Sequence, residues 1–204
     1  MGRKGHGDRS RQLRVEWRWQ REECLIVGDT ENFALESGLS CPVENTSQQA
    51  LGFFLIHLSG RRFGVRNSEA TLLGCSVEAV EQRLAMRGSH VSERLASLSA
   101  EELAELYFLS FYGDTDHWTR SQNDFLESNV IWCPDGDAAF DDGSHVLQFD
   151  QGAHVRLVAF RNDVGKASDL TERTILADDY YSILKTWVSE FRMDRDIALE
   201  NARR

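Results

Sequence analysis

The sequence predicts an α+β fold: an antiparallel or mixed β-sheet built from hairpins, packed by several helices that include a C-terminal amphipathic helix. Three observations carry this. Two apolar stretches fold back about Ser59-Gly60 and Gln151-Gly152, the punctuation of β-hairpins. The closing stretch "DDYYSILKTWVSEFRMDRD" places Tyr180, Ile183, Leu184, Trp187, Val188 and Phe191 at the i, i+3, i+4, i+7 spacing of one helix face. Strands and helices do not alternate regularly enough for a doubly wound parallel sheet.

The elements follow in order. Residues 1–12, "MGRKGHGDRSRQ", are rich in Gly and Arg without periodicity, and residues 1–22 are expected to form a basic, partly disordered extension. Within it, Leu13, Val15, Trp17 and Trp19 alternate with Arg14, Glu16, Arg18 and Gln20, the pattern of an edge strand over 13–20. Residues 23–204 are expected to form a single α+β domain. In "LIVGDTENFALESGL", residues 24–28 and 33–38 read as short strands and Gly28-Asp29 as the turn at a strand end. Residues 41–49 read as a polar loop. The hairpin 51–58 and 61–65 comes next, then a helix over 77–87 with Val77, Val80 and Leu84 on one side and Gly88 as its stop. Ser99 opens the next helix with Glu102 three residues on, a capping box, and Gly113 ends it. Residues 114–129 read as loop, and "NVIWC" as a short strand. The hairpin "HVLQFD" and "AHVRLVAFR" follows, then a polar loop over 162–170, a strand "ERTILA", and the last helix with Asp178 as its N-cap.

A chain of 204 residues with 41% hydrophobic content has enough apolar mass for a core. The longest apolar run, "LGFFLIHL", is far too short to span a bilayer. No apolar stretch backs the basic N-terminus, so no secretory signal is expected and the cytoplasm is the expected compartment. The four cysteines, Cys24, Cys41, Cys75 and Cys133, form no C-x-x-C pair and are expected as reduced thiols, mostly buried. The net charge of −10 is uneven. Residues 1–21 hold seven Lys/Arg and two acids, +5, whereas the remainder holds 16 bases and 31 acids, −15. A body this acidic repels nucleic-acid phosphates and favours basic partners. Arginines and tryptophans in the arm also suit a nucleic-acid arm. Their alternation puts the two types on opposite faces, however, as in a sheet.

Candidate chemistry is sparse. Gly28-Asp29 has no Gly-Lys-Ser/Thr and no further glycines at dinucleotide spacing. The cluster "DGDAAFDDG", with Asp135, Asp137, Asp141 and Asp142, fails as a calcium loop because Ala139 and Phe140 stand where a ligand and a glycine are required. It reads as a solvated turn or as a negative patch for a basic partner. Asp114, Asp116 and His117 in "GDTDHW" are the candidates for a metal-dependent hydrolase or nuclease, an alternative that needs ligands from elsewhere. His57 and His154 sit in strands and read as structural. No G-x-S-x-G and no cysteine nucleophile motif is present.

The segments "LIVGDTENFALES", "GFFLIHLSGRRFG", "DDGSHVLQFDQGAHVRLVAF" and "ILADDYYSILKTWVSEF" together resemble immunity protein family forty-two, from bacterial polymorphic toxin and contact-dependent inhibition systems. The resemblance covers residues 24–192, is weaker over 88–130, and excludes the arm. It implies a cytoplasmic protein that binds one cognate toxin C-terminal domain, 1:1, and blocks it. No catalytic residue, cofactor or metal is implied, and no direct contact with membrane or nucleic acid. The toxin chemistry is left open, a nuclease being one case that carboxylates would suit. The residues expected to meet the toxin are Asp135, Asp137, Asp141 and Asp142, then Asp114 and Asp116.

Overall fold

The computed structural model describes residues 24–113, 120–133 and 137–204. The strand expected over 13–20 lies outside the described residues. Two antiparallel sheets are present among those described. In the first, β1 (Cys24–Asp29), β2 (Phe33–Pro42), β3 (Ala50–Leu58) and β4 (Arg61–Phe63) follow in order, and β5 (Thr71–Leu72) also pairs with β3. The second is a meander of β6 (Ser144–Gln151), β7 (His154–Asp163) and β8 (Lys166–Leu176). The helices are α1 (Leu73–Ala85), α2 (Glu93–Ala96), α3 (Ala100–Phe111), α4 (Arg120–Glu127) and α5 (Ala177–Ala202), and a 3₁₀ turn spans Ala138–Phe140.

Side-chain alternation divides the apolar residues of β6 and β7 between two buried clusters. Val146, Val155, Leu157 and Ala159 enter one buried cluster with the first sheet, α1 and α5. Leu147, Phe149, Val158 and Phe160 enter another, beneath α2, α3 and α4, with Leu95, Leu103, Tyr107, Phe108 and Phe125. Both faces of this sheet are thus covered. α5 joins the two sheets. Its Trp187 is fully buried, stacks on Phe191, meets Phe54 edge to face, and donates its indole N–H to Ser37 Oγ at 3.1 Å. A buried indole needs such an acceptor.

Gly28 has φ +110°, and a Cβ there would lie 2.4 Å from the Phe33 carbonyl oxygen. Asp29 closes the turn, its Oδ1 accepting from Glu31 N at 3.0 Å and its carbonyl oxygen from Asn32 N at 2.9 Å. The Gly-Asp pair ends β1, and the turn of residues 30–32 leads from Asp29 into β2. α3 carries its capping box, Ser99 N to Glu102 Oε2 at 2.9 Å and Glu102 N to Ser99 Oγ at 3.2 Å.

Several expectations are corrected. Residues 162–170 are no loop: β7 and β8 meet at a tight turn with Val164 and Gly165 both at positive φ, and "ERTILA" is the second half of an eleven-residue strand. Residues 120–127 are helical, anchored by the single buried Phe125, where loop was expected. "NVIWC" makes one bridge, Ile131 to Leu147, although Gln148 N to Val130 O and Trp132 N to Val146 O, both 2.8 Å, cover the outer edge of β6. Such cover satisfies an otherwise open strand edge. α1 begins at Leu73, four residues before the expected start, because β5 leads directly into it. β2 continues to Pro42. The N-cap of α5 is Leu176; Asp178 and Asp179 lie in the first turn, where they face the helix dipole. Only Cys133 of the four free cysteines is buried; Cys24 is half-buried and Cys41 and Cys75 are exposed.

Candidate functional site

The acidic stretch leads into β6. Asp137 caps the 3₁₀ turn, its Oδ1 accepting from Ala139 N at 2.9 Å. Asp141 is exposed, with no hydrogen bond or ion pair among the described residues. Asp142 is committed within the fold: its Oδ1 accepts from Ser144 N at 3.1 Å and its Oδ2 from Arg161 Nε at 3.2 Å. Asp135, Asp114, Asp116 and His117 lie outside the described residues. Of the expected set, Asp137, Asp141 and Asp142 are described, and the first two have no cationic partner among the described residues.

Asp137 also lines a groove of about 280 Å³ between α1 and the chain leading to the 3₁₀ turn. Cys75, Glu78, Ala79 and Gln82 of α1 face Ile131, Trp132 and Asp137 across it, and Arg83 lines it as well. The α1 residues fall at i, i+3, i+4 and i+7, one stripe of the helix surface. Glu78 is exposed and has no hydrogen bond or ion pair among the described residues. Sequence reasoning passed over it, because the stripe beside the apolar face of a helix looks like any solvated face.

Arg83 ties the groove's walls together. Its Nη1 donates to Asn129 O at 2.6 Å and its Nη2 donates to Ile131 O. The residue is 7% exposed, and burial lowers the guanidinium pKa from its ordinary value. His90 lies against it, with Nδ1 2.9 Å from Asn129 O. Burial, then the Arg83 charge, lowers the imidazole pKa. Burial also pushes the Cys133 thiol up; the Asp137 carboxylate adds to this more strongly than Arg83 opposes it.

A second polar cluster holds the segment after α1 to the second sheet. The Asp150 carboxylate accepts from Gly88 N at 2.7 Å, His90 N at 3.3 Å, Tyr181 Oη at 2.8 Å and Gln148 Nε2 at 3.2 Å. Tyr180 Oη donates to Gln148 Oε1 at 2.7 Å. Burial raises the pKa of both phenols. On the outer face of the first sheet, buried Glu36 meets His57 Nε2 at 2.7 Å and Arg66 Nη2 at 3.2 Å, so His57 partners a buried carboxylate. His154 is exposed at the start of β7. Among the described residues, no group of three or more His, Cys, Asp or Glu side chains is placed to hold a metal ion, and no helix is long and apolar enough to cross a membrane.

What the surface offers is carboxylates beside a shallow groove. Comparison with known proteins defines the class. Residues 25–190 match the family model described as Immunity protein 42. The solved structure titled "Crystal structure of CdiI from Burkholderia dolosa AUO158" matches with a TM-score of 0.54 at 16% identity, covering 81% of this chain and 99% of that one. At that identity the likeness speaks to the fold. The curated proteins yield no match. The protein is an immunity protein, one that binds and neutralises a cognate bacterial toxin. The chain belongs to the Immunity protein 42 family, whose match spans both sheets, α1 to α4 and the first half of α5.

Proposed function

We propose that this protein neutralises its toxin by binding alone, one inhibitor to one toxin C-terminal domain, in the cytoplasm of a cell using contact-dependent inhibition. The observation that carries the reading is the acidic face before β6. Asp137 and Asp141 have no cationic partner among the described residues, on a body whose charge beyond residue 21 is −15. Asp142 adds its charge beside them, and Asp135, Asp114 and Asp116 belong to the same reading by sequence. Carboxylates presented this way accelerate encounter with a basic partner and select against acidic ones. The printed name of the similar structure, a CdiI, supports the contact-dependent setting.

The test is to find whether the neighbouring upstream reading frame encodes a large secreted protein and to co-express this chain with that protein's C-terminal domain. Rescue of growth and a stable 1:1 complex are expected. A toxic neighbour that is neither bound nor neutralised would refute the pairing. Rescue without a complex would refute neutralisation by binding.

A further inference from the structure

We propose that the groove lined by α1 on one side and by Ile131, Trp132 and Asp137 on the other is the seat of a single basic side chain of the toxin, an arginine, held by Glu78 and Asp137. The inference rests on the binding reading above and names where on the protein it acts.

The groove is small. At about 280 Å³ it lies at the lower limit of cavities that hold small-molecule ligands, and it suits one long side chain. Its chemistry selects the side chain. Glu78 and Asp137 enter from opposite walls, and neither is neutralised among the described residues. Four other carboxylates on or beside α1 and α5 are paired: Glu81 with Arg192, Asp178 with Arg87, Glu44 with Arg203 and Asp196 with Arg195. Ile131 and Trp132 supply apolar lining for the methylene stem. Arginine is less strongly hydrated than lysine and its planar fork reaches two carboxylates at once. An arginine filling a pocket is also the usual form of an interface hot spot.

Arg83 is the one cation lining the groove among the described residues, and its position decides whether a second cation is tolerated. Its guanidinium is turned to the carbonyl oxygens of Asn129 and Ile131, into the wall. At Cys133, beside the groove, the Asp137 charge outweighs that of Arg83. Arg83 thus fixes the spacing of the two walls while the carboxylates set the sign of the field.

Cys75 supplies a native probe, because its thiol is exposed and lines the groove, whereas Cys41 is exposed at the end of β2. The experiment alkylates the free protein and its purified complex with the toxin domain, and follows each cysteine by peptide mass spectrometry. Cys75 is expected to react at least about tenfold more slowly in the complex, relative to Cys41. Equal relative rates in a complex that forms normally would overturn the proposal and leave the binding reading standing. Failure of the wild-type protein to form a complex would instead overturn the binding reading. In a second arm, Glu78→Lys with Asp137→Asn is expected to weaken binding by more than about tenfold, while Glu93→Lys on α2 leaves it unchanged. Circular dichroism verifies the fold of each variant. Wild-type affinity in the folded Glu78→Lys, Asp137→Asn protein would likewise overturn the proposal.

Discussion

Replacing Asp150 with Asn tests the polar anchor that holds the segment after α1 to β6. The side chain is 9% exposed. One oxygen accepts from Gly88 N at 2.7 Å and His90 N at 3.3 Å, the other from Tyr181 Oη at 2.8 Å and Gln148 Nε2 at 3.2 Å. All four partners are donors. An amide presents one oxygen and one NH₂, so whichever way it turns, one pair of donors meets N–H groups instead of an acceptor. A hydrogen bond to a charged acceptor contributes about 1.5–3 kcal/mol, and a buried donor left unpaired costs about 1–3 kcal/mol. Some of this is recovered by rotation of the Tyr181 hydroxyl, which leaves about 3 kcal/mol. For a chain of this size that corresponds to a fall in Tm of roughly 6–12 °C. Differential scanning fluorimetry reads the shift, and urea unfolding reads the free energy. Tyr181→Phe is the partner variant. Because it removes a donor to the same carboxylate, the double variant is expected to be less destabilised than the two single effects added, with a coupling of about 1 kcal/mol. A Tm shift under about 2 °C for Asp150→Asn, or strict additivity with Tyr181→Phe, would refute the view that these contacts work as one network.

Other outcomes follow from the same coordinates. Charge reversal at Asp135, Asp137, Asp141 and Asp142 together is expected to weaken toxin binding by more than about tenfold, through slower association that converges with wild type at high salt; stopped-flow kinetics across ionic strength reads this. Gly28→Ala forces a side chain onto φ +110° and against the Phe33 carbonyl, at a cost of about 2 kcal/mol by urea unfolding. His90 has a folded pKa below its unfolded value of about 6.5, so its stabilising contribution is present above that pH and lost as pH falls below it. Tm is therefore expected to fall more steeply between about pH 7 and 5 in the wild type than in His90→Gln, and equal slopes would count against this. Tyr180 and Tyr181 have folded pKa values above the unfolded value of about 10, so their contribution holds below that pH and is lost as pH rises above it. An alkaline absorbance titration is expected to show both phenols silent until the protein unfolds.

Periodicity and local chemistry made much of this architecture legible. The capping box at Ser99 and Glu102, the hairpin about Gln151-Gly152, and the apolar stripe from Tyr180 to Phe191 each depend on residues near one another in sequence, and each was read without the structure. The turn role of Gly28-Asp29 was local too. The acidic stretch before β6 was also visible, although not that Asp142 is held by Arg161 while Asp141 has no partner among the described residues.

Local signals failed where a distant contact decides. Residues 120–127 are polar but for Phe125 and Leu126, and become a helix because Phe125 packs against Tyr107 and Phe111 of α3. Residues 166–168 look like loop, yet pair with β7 because Val164 and Gly165 turn the chain tightly. The groove was least legible of all. Glu78 and Asp137 are far apart in sequence yet line one groove, whose two sides Arg83 links through the carbonyls of Asn129 and Ile131. The sequence by itself determined the elements with strong periodicity, the acidic charge and the family, because those are properties of short segments and their order. Which carboxylates remain unpaired, and which of them face one another, was decided by tertiary structure alone, because pairing and field depend on distances that only the packed chain defines.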